Sequence, residues 1–168
     1  MYHDRCRAHA QEDAKMLQTG DKAPEVLLPD QTGKQRKLSE LWAAGPVVLY
    51  FYPKDETSGC TAEACSFRDA YETFKDAGAE VVGVSKDGVA DHASFAQNHR
   101  LPFVLLADTS GSARASFGVK RTLGIIDGRV TFVIDTSGTI RHVFDSMLRP
   151  RAHIDEALNV VKRLKASA

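Results

Sequence analysis

Val47-Val48-Leu49-Tyr50-Phe51-Tyr52-Pro53-Lys54-Asp55-Glu56-Thr57-Ser58-Gly59-Cys60-Thr61-Ala62-Glu63-Ala64-Cys65 is the stretch on which the reading of this chain turns. Its first six residues are aliphatic, β-branched or aromatic with no polar interruption, which reads as a strand buried on both faces. Pro53 has no N–H to give a ladder, so the strand stops there. Asp55, Thr57, Ser58 and Gly59 are turn formers, and they deliver Cys60 to the first turn of a helix predicted over 60–77. A free thiol titrates near about 8.5, and a helix N-terminus or a nearby cation draws it down towards about 3.5–7.5. The unpaired N–H groups and positive end of this helix would favour Cys60 as an anion. Thr57, three residues earlier, is placed to donate its hydroxyl either to that thiolate or to a substrate oxygen. Pro53 covers the strand end without adding a competing donor. Most free cysteines are small buried hydrophobes; the polar, turn-rich flank of Cys60 favours chemistry instead.

Upstream, residues 1–15 are polar and carry His3, Cys6 and His9 at steps of three. Three metal ligands on an unsupported segment would bear the full ordering entropy, so this stretch reads as an N-terminal extension, a tail. Met16 opens a single domain over 16–168. A strand at 26–29, a turn at 30–34 and a return strand at 36–38 make a hairpin. Ser39-Glu40-Leu41-Trp42 reads as one capped helical turn, and Gly45-Pro46 breaks into the central strand.

Downstream of the cysteine helix, Gly78 is a helix stop and 80–85 is a second buried strand. A helix follows at 87–98, with Val89, Phe95 and Ala96 inward, then a strand at 103–108 and a short helix at 112–117 closed by Gly118. A strand at 129–135, a tight turn at 136–138 and an antiparallel partner at 139–144 come next. Residues 152–165 form an amphipathic helix with Ile154, Leu158, Val161 and Leu164 on one stripe. Strands alternating with helices and closing in a hairpin predict an α/β fold with a mixed central sheet covered on both faces. His92, His99, His142 and His153 are scattered and read as solvated.

Composition narrows the function classes. The 168 residues carry 22 Lys+Arg against 22 Asp+Glu, a formal net charge of zero, which gives no electrostatic case for nucleic acid or an anionic membrane as partner. No apolar run approaches the roughly 20 residues that span a bilayer, and residues 1–15 lack the apolar middle of a secretory signal. Three cysteines are too few for a disulfide scaffold and suit redox-active thiols in a reducing compartment, so a cytoplasmic location is expected.

Pro53-x-x-x-Thr57-x-x-Cys60 is similar to the peroxiredoxin active-site pattern. The run Thr57-Ser58-Gly59-Cys60-Thr61 with Ala64-Cys65 resembles the Q-type branch, the bacterioferritin comigratory proteins, in which a second cysteine follows the first by five residues. The likeness runs from about Met16 to the C-terminus. Ser58 stands where the branch usually has proline, and serine still suits a turn before a helix. The resemblance implies a thioredoxin-like fold with an added N-terminal β-hairpin, and a thiol-dependent peroxidase acting on hydrogen peroxide and alkyl hydroperoxides.

It also implies roles. Cys60 would attack the peroxide, polarised by Thr57 and the Gly59 and Cys60 backbone N–H groups, with Pro53 beside them. The cation would be Arg129, entering on the strand that carries Phe132-Val133-Ile134-Asp135, with Arg121 its rival. Glu63 has two readings: it orients the Arg129 guanidinium through a charge-assisted bond, or it is an exposed helix residue without a role. Cys65 would resolve the sulfenic acid as an intramolecular disulfide, and thioredoxin or a similar dithiol would reduce it. On an intact helix, residues five apart have Cα atoms about 8.6 Å apart, beyond the roughly 7 Å limit for a disulfide. If both cysteines act, the first helical turns must unwind. No metal, haem or flavin is required, and intramolecular pairing together with the branch suggests a monomer. Cys-x-x-Cys is absent, against a thioredoxin-type oxidoreductase, and the cysteine spacing does not suit a copper carrier. The rival of another class is a non-enzymatic redox sensor or holdase switched by the same disulfide.

Overall fold

The computed structural model describes residues 15–167; His3, Cys6, His9 and all but the end of the 1–15 extension lie outside them. In chain order the elements are β1 (Leu27–Pro29), β2 (Gln35–Lys37), α1 (Leu38–Ala44), β3 (Val47–Phe51), α2 (Ser58–Asp76), β4 (Glu80–Ser85) and α3 (Val89–His99). They continue as β5 (Val104–Ala107), α4 (Ser112–Ser116), β6 (Arg121–Thr122), β7 (Ile126–Asp127), β8 (Val130–Ile134), β9 (Ile140–Asp145) and α5 (Ala152–Ala166). All five residues of β3 are buried, because this strand lies in the middle of a five-stranded sheet of order β5-β4-β3-β8-β9. β3, β4 and β5 run parallel, while β8 and β9 are antiparallel additions on the other side. The sheet is mixed, as the order of strands and helices predicts.

Period-two geometry splits β3 between two cores. Val48 and Tyr50, with Tyr52 beyond the strand, face a layer built from α2, α3 and α5, including Cys60, Phe67, Phe74, Phe95, Ala157 and Val161. Val47, Leu49 and Phe51 face the other layer, with Leu38, Ala113, Phe117, Val130 and Phe132. The β1–β2 hairpin forms its own two-stranded sheet and adds Val26 and Leu28 to that second core.

Register decides what stands at the end of β3. Phe51 is paired with Val130 in the antiparallel β3–β8 ladder, so Arg129, one residue before Val130, falls opposite the strand end from which the loop to α2 departs. One expectation is corrected. Ser39 does not cap α1: the helix begins at Leu38 with Lys37 as N-cap, and the Ser39 hydroxyl bonds to Glu25. A short hairpin, β6–β7, occupies a span that periodicity leaves blank, turning through Leu123 and Gly124 at φ 53° and 69°.

Candidate active site

α2 starts where the polar loop ends. Thr57 is its N-cap, and no side chain caps it. The first intrahelical bond runs from the Thr61 N–H to the Thr57 carbonyl at 2.8 Å, so the amides of Ser58, Gly59 and Cys60 have no carbonyl within the helix. Cys60 sits in this first turn, 1% exposed, with its side chain in the core between α2 and the sheet.

Arg129 reaches that sulfur. Its Nη2 donates to Cys60 Sγ at 3.4 Å and its Nη1 donates to Glu63 Oε1 at 2.7 Å. The guanidinium therefore bridges the thiol and a carboxylate one helical turn further along α2. Both partners are buried, Arg129 at 4% and Glu63 at 0% exposure. Glu63 is thus an interior group in direct contact with Arg129, which removes its reading as an exposed residue. Burial pushes its carboxyl up to about 8, against the pull of the Arg129 charge and hydrogen bond. Arg129 itself is held above its ordinary range: burial lowers it, and the charges of Glu63 and Cys60 outweigh that. Gly59 leaves room for the approach, because a Cβ there would stand 3.1 Å from Arg129 Nη2 and crowd it.

Three groups in this neighbourhood are invisible to sequence reading. Arg114, from the short helix α4, is 4% exposed and donates to the carbonyls of Gly128 at 2.8 Å and Tyr52 at 2.9 Å. It joins the end of β3 to the residue that precedes Arg129, and burial lowers its guanidinium against the pull of Asp127, Asp108 and Cys60. Two histidines expected to be solvated are buried outright, a correction with a clear cause, since each has partners for both ring nitrogens. His153 Nε2 donates to the Ser146 carbonyl at 2.8 Å, so its Nδ1, 2.8 Å from Thr131 Oγ1, accepts from that hydroxyl. Burial lowers this imidazole to about 4. The free Glu63 oxygen, Oε2, has no hydrogen-bond partner and lies 3.7 Å from His153 Nδ1. The other, His92, packs against the loop before Cys60. His99 and His142 are half-buried and face Glu56 and Glu156.

Thr57 is exposed, and its hydroxyl donates back to the Lys54 carbonyl at 2.9 Å. The proton is taken, while the lone pairs of Oγ1 and the neighbouring amides stay open to a ligand. Pro53 is half-buried at the rim of the same loop. Arg121 lies in β6 and pairs with Asp127 at 3.5 Å, so the guanidinium on the sulfur is that of Arg129.

Cys65 is a free, half-buried thiol further along the same unbroken helix. It lines an open groove with Ala62, Ser66, Asp69, Ala70 and Arg151. With about 140° of helical rotation between them, the two sulfurs face different surroundings. Among the described residues one cluster has metal-ligand composition, Asp55, Asp87 and His92. Its polar atoms are bonded to one another and to neighbouring protein groups, which gives it the character of a closed network.

A family model described as the AhpC/TSA family matches residues 19–143. The chain is 46% identical over 146 residues to the chloroplastic peroxiredoxin Q of Triticum aestivum, covering 86% of this chain and 67% of that protein. The crystal structure of peroxidoxin BcpB from Mycobacterium tuberculosis superposes with a TM-score of 0.83 at 45% identity, over 88% of this chain and 98% of that one. A bacterioferritin comigratory protein of Xanthomonas campestris, studied for its alkyl peroxide reduction activity through trapped intermediate and ligand complexes, superposes with a TM-score of 0.76. It is 29% identical, over 83% of this chain and 92% of that one.

Proposed function

The chain belongs to the AhpC/TSA family and its peroxiredoxin Q branch, and on that premise we propose that Cys60 reduces hydrogen peroxide and alkyl hydroperoxides, Cys65 resolves the product, and a thioredoxin-type dithiol restores both. Peroxiredoxins are thiol-dependent peroxidases, and this chain is one. The observation that carries this proposal is the contact between Arg129 Nη2 and Cys60 Sγ in the first turn of α2.

The chemistry runs in three balanced steps. The Cys60 thiolate attacks one peroxide oxygen and the O–O bond breaks. The leaving oxygen takes a proton and departs as water or alcohol, and Cys60 is left as sulfenic acid. The Cys65 sulfur then displaces that hydroxyl, forming a disulfide and releasing water. Finally, two thiols of the reductant exchange with the disulfide and leave both cysteines reduced. Arg129 opposes charge on the attacking sulfur, and the open amides at the head of α2 face the oxygen on which charge develops. Thr57 contributes through its oxygen in the reduced state, and donation to the peroxide requires it to let go of the Lys54 carbonyl. Helix geometry keeps the two cysteines too far apart to bond, so the second step requires the first turns of α2 to open. Monomeric state and a cytoplasmic location belong to the same proposal, supported by an intramolecular second thiol and by the sparse cysteines.

The test is peroxide consumption coupled to thioredoxin and its reductase, with both single-cysteine variants. Cys60→Ser is expected to abolish turnover. Cys65→Ser is expected to keep one oxidation per molecule, visible by intact mass, and to lose cycling. A Cys60→Ser protein that still cycles would sink the assignment, and one oxidation without cycling in the unaltered chain would favour a redox sensor.

A further inference from the structure

We propose that His92, acting through Asp55, is a positioning residue for the peroxide-reacting thiol, holding the loop at 53–57 in the conformation that presents Cys60. The proposal rests on the reading of Cys60 as the attacking group. That loop is short, polar and contains a non-glycine residue in the left-handed region, Glu56 at φ 62°. Such a residue persists only where its surroundings over-determine it. The surroundings here are supplied by α3, and by the ends of the two strands that flank it.

Asp55 is buried although it lies in the loop. Its Oδ2 is 2.6 Å from His92 Nδ1, its Oδ1 accepts from the Tyr52 hydroxyl at 2.6 Å, and its backbone N–H donates to Asp87 Oδ2 at 2.9 Å. His92 Nε2 donates to the Leu106 carbonyl at 3.0 Å, which fixes the ring between β5 and the loop. Both ring nitrogens of His92 are therefore engaged, and the imidazole has no rotational freedom left. Next along, the Glu56 carboxylate accepts from Asn98 Nδ2 at 3.0 Å and faces His99 Nε2 at 2.9 Å. α3 thus grips two consecutive loop residues, one buried and one exposed.

The grip continues by direct bonds to the sulfur. Asp55 holds the Tyr52 hydroxyl, the Tyr52 carbonyl accepts from Arg114, Arg114 holds the Gly128 carbonyl, and the next residue, Arg129, donates to Cys60 Sγ. Releasing His92 from Asp55 leaves the loop held only by Tyr52, Asp87 and the exposed contacts of Glu56, and so loosens Thr57 and the head of α2. The Arg129 contact would survive only in part.

Two variants separate positioning from packing. Asn places an amide where His92 Nδ1 stands and keeps a donor towards Asp55; Gln reaches the Leu106 carbonyl and abandons Asp55. Each would be tested for its single-turnover rate of Cys60 oxidation by hydrogen peroxide, its Tm, and hydrogen exchange of the amides at 54–60. Expected are similar losses of Tm for both, but about a tenfold slower oxidation and faster loop exchange in His92→Gln, with most of the rate restored in His92→Asn. Asp55→Asn, nearly the same in volume, is expected to slow oxidation like His92→Gln, and keeps the test available if that variant does not fold. Equal rates per folded molecule in His92→Gln, His92→Asn and the unaltered chain, or equal slowing in both variants, would overturn the proposal. Peroxide consumption persisting in Cys60→Ser would instead remove the reading on which it rests, and the proposal with it.

Discussion

Arg129 and Cys60 are joined by a 3.4 Å N–H···S contact although 69 residues separate them, and the same guanidinium holds Glu63 at 2.7 Å with its other terminal nitrogen. A forked, planar cation is needed to meet sulfur and carboxylate at once, and lysine offers only a point charge. Arg129→Met is expected to slow oxidation of Cys60 by about a hundredfold, the scale for removing one preorganised donor. Arg129→Lys should recover only part of it. Stopped-flow oxidation with hydrogen peroxide reads the effect; an unchanged rate in Arg129→Met would refute the electrostatic role.

Gly59 separates stability from activity. Alanine in the first turns of a helix is better than glycine by up to about 1 kcal/mol, yet its Cβ would press on Arg129 Nη2 at 3.1 Å. That guanidinium is pinned on both sides and has little room to retreat. Gly59→Ala is expected to hold or raise Tm while cutting the oxidation rate severalfold. Thermal denaturation and stopped-flow measurements on one preparation decide it.

His153 makes the fold sensitive to acid. Its imidazole is lowered to about 4 by burial, from about 6.5 in an unfolded chain. A depressed value means that the unfolded chain takes up the proton first. The contribution is therefore whole above about 6.5 and is lost as pH falls through about 4, on the order of 3 kcal/mol in total. Urea unfolding at pH 7 and pH 4.5 should show a smaller loss of stability for His153→Gln than for the unaltered chain.

Glu63 works in the opposite direction. Its carboxyl is raised to about 8 by burial, so the folded state holds the proton longer than the unfolded one. That contribution is complete below about 4.5 and drains away as pH rises through about 8. Glu63→Gln keeps an acceptor for Arg129 and cannot ionise. Its stability relative to the unaltered chain should improve steadily between pH 5 and pH 9, and urea unfolding across that range would show the trend absent if Glu63 were already ionised at pH 5.

The parts of this molecule that the sequence discloses are those governed by local rules. Val47–Phe51 reads as a buried strand because nothing polar interrupts it, and Ile154 and Val161 mark the inward stripe of α5 by spacing alone. Glu63, Arg114, His92 and His153 obey no such rule. Each is polar by type and buried by tertiary pairing, and a periodicity argument assigns such residues to solvent. Arg129 needed a family resemblance, because only the β3–β8 register carries it to the strand end. No local signal marks the β6–β7 hairpin, because Leu123, a poor turn former, occupies a left-handed position.

With Cys60 only 1% exposed, a dithiol carried on a folded protein cannot bring its sulfur to that of Cys60 while α2 is intact. In the proposed cycle the oxidant and the reductant therefore never compete for one form of the chain. Each meets its own shape of the enzyme in turn, and the kinetic signature is ping-pong, with parallel lines in a double-reciprocal plot.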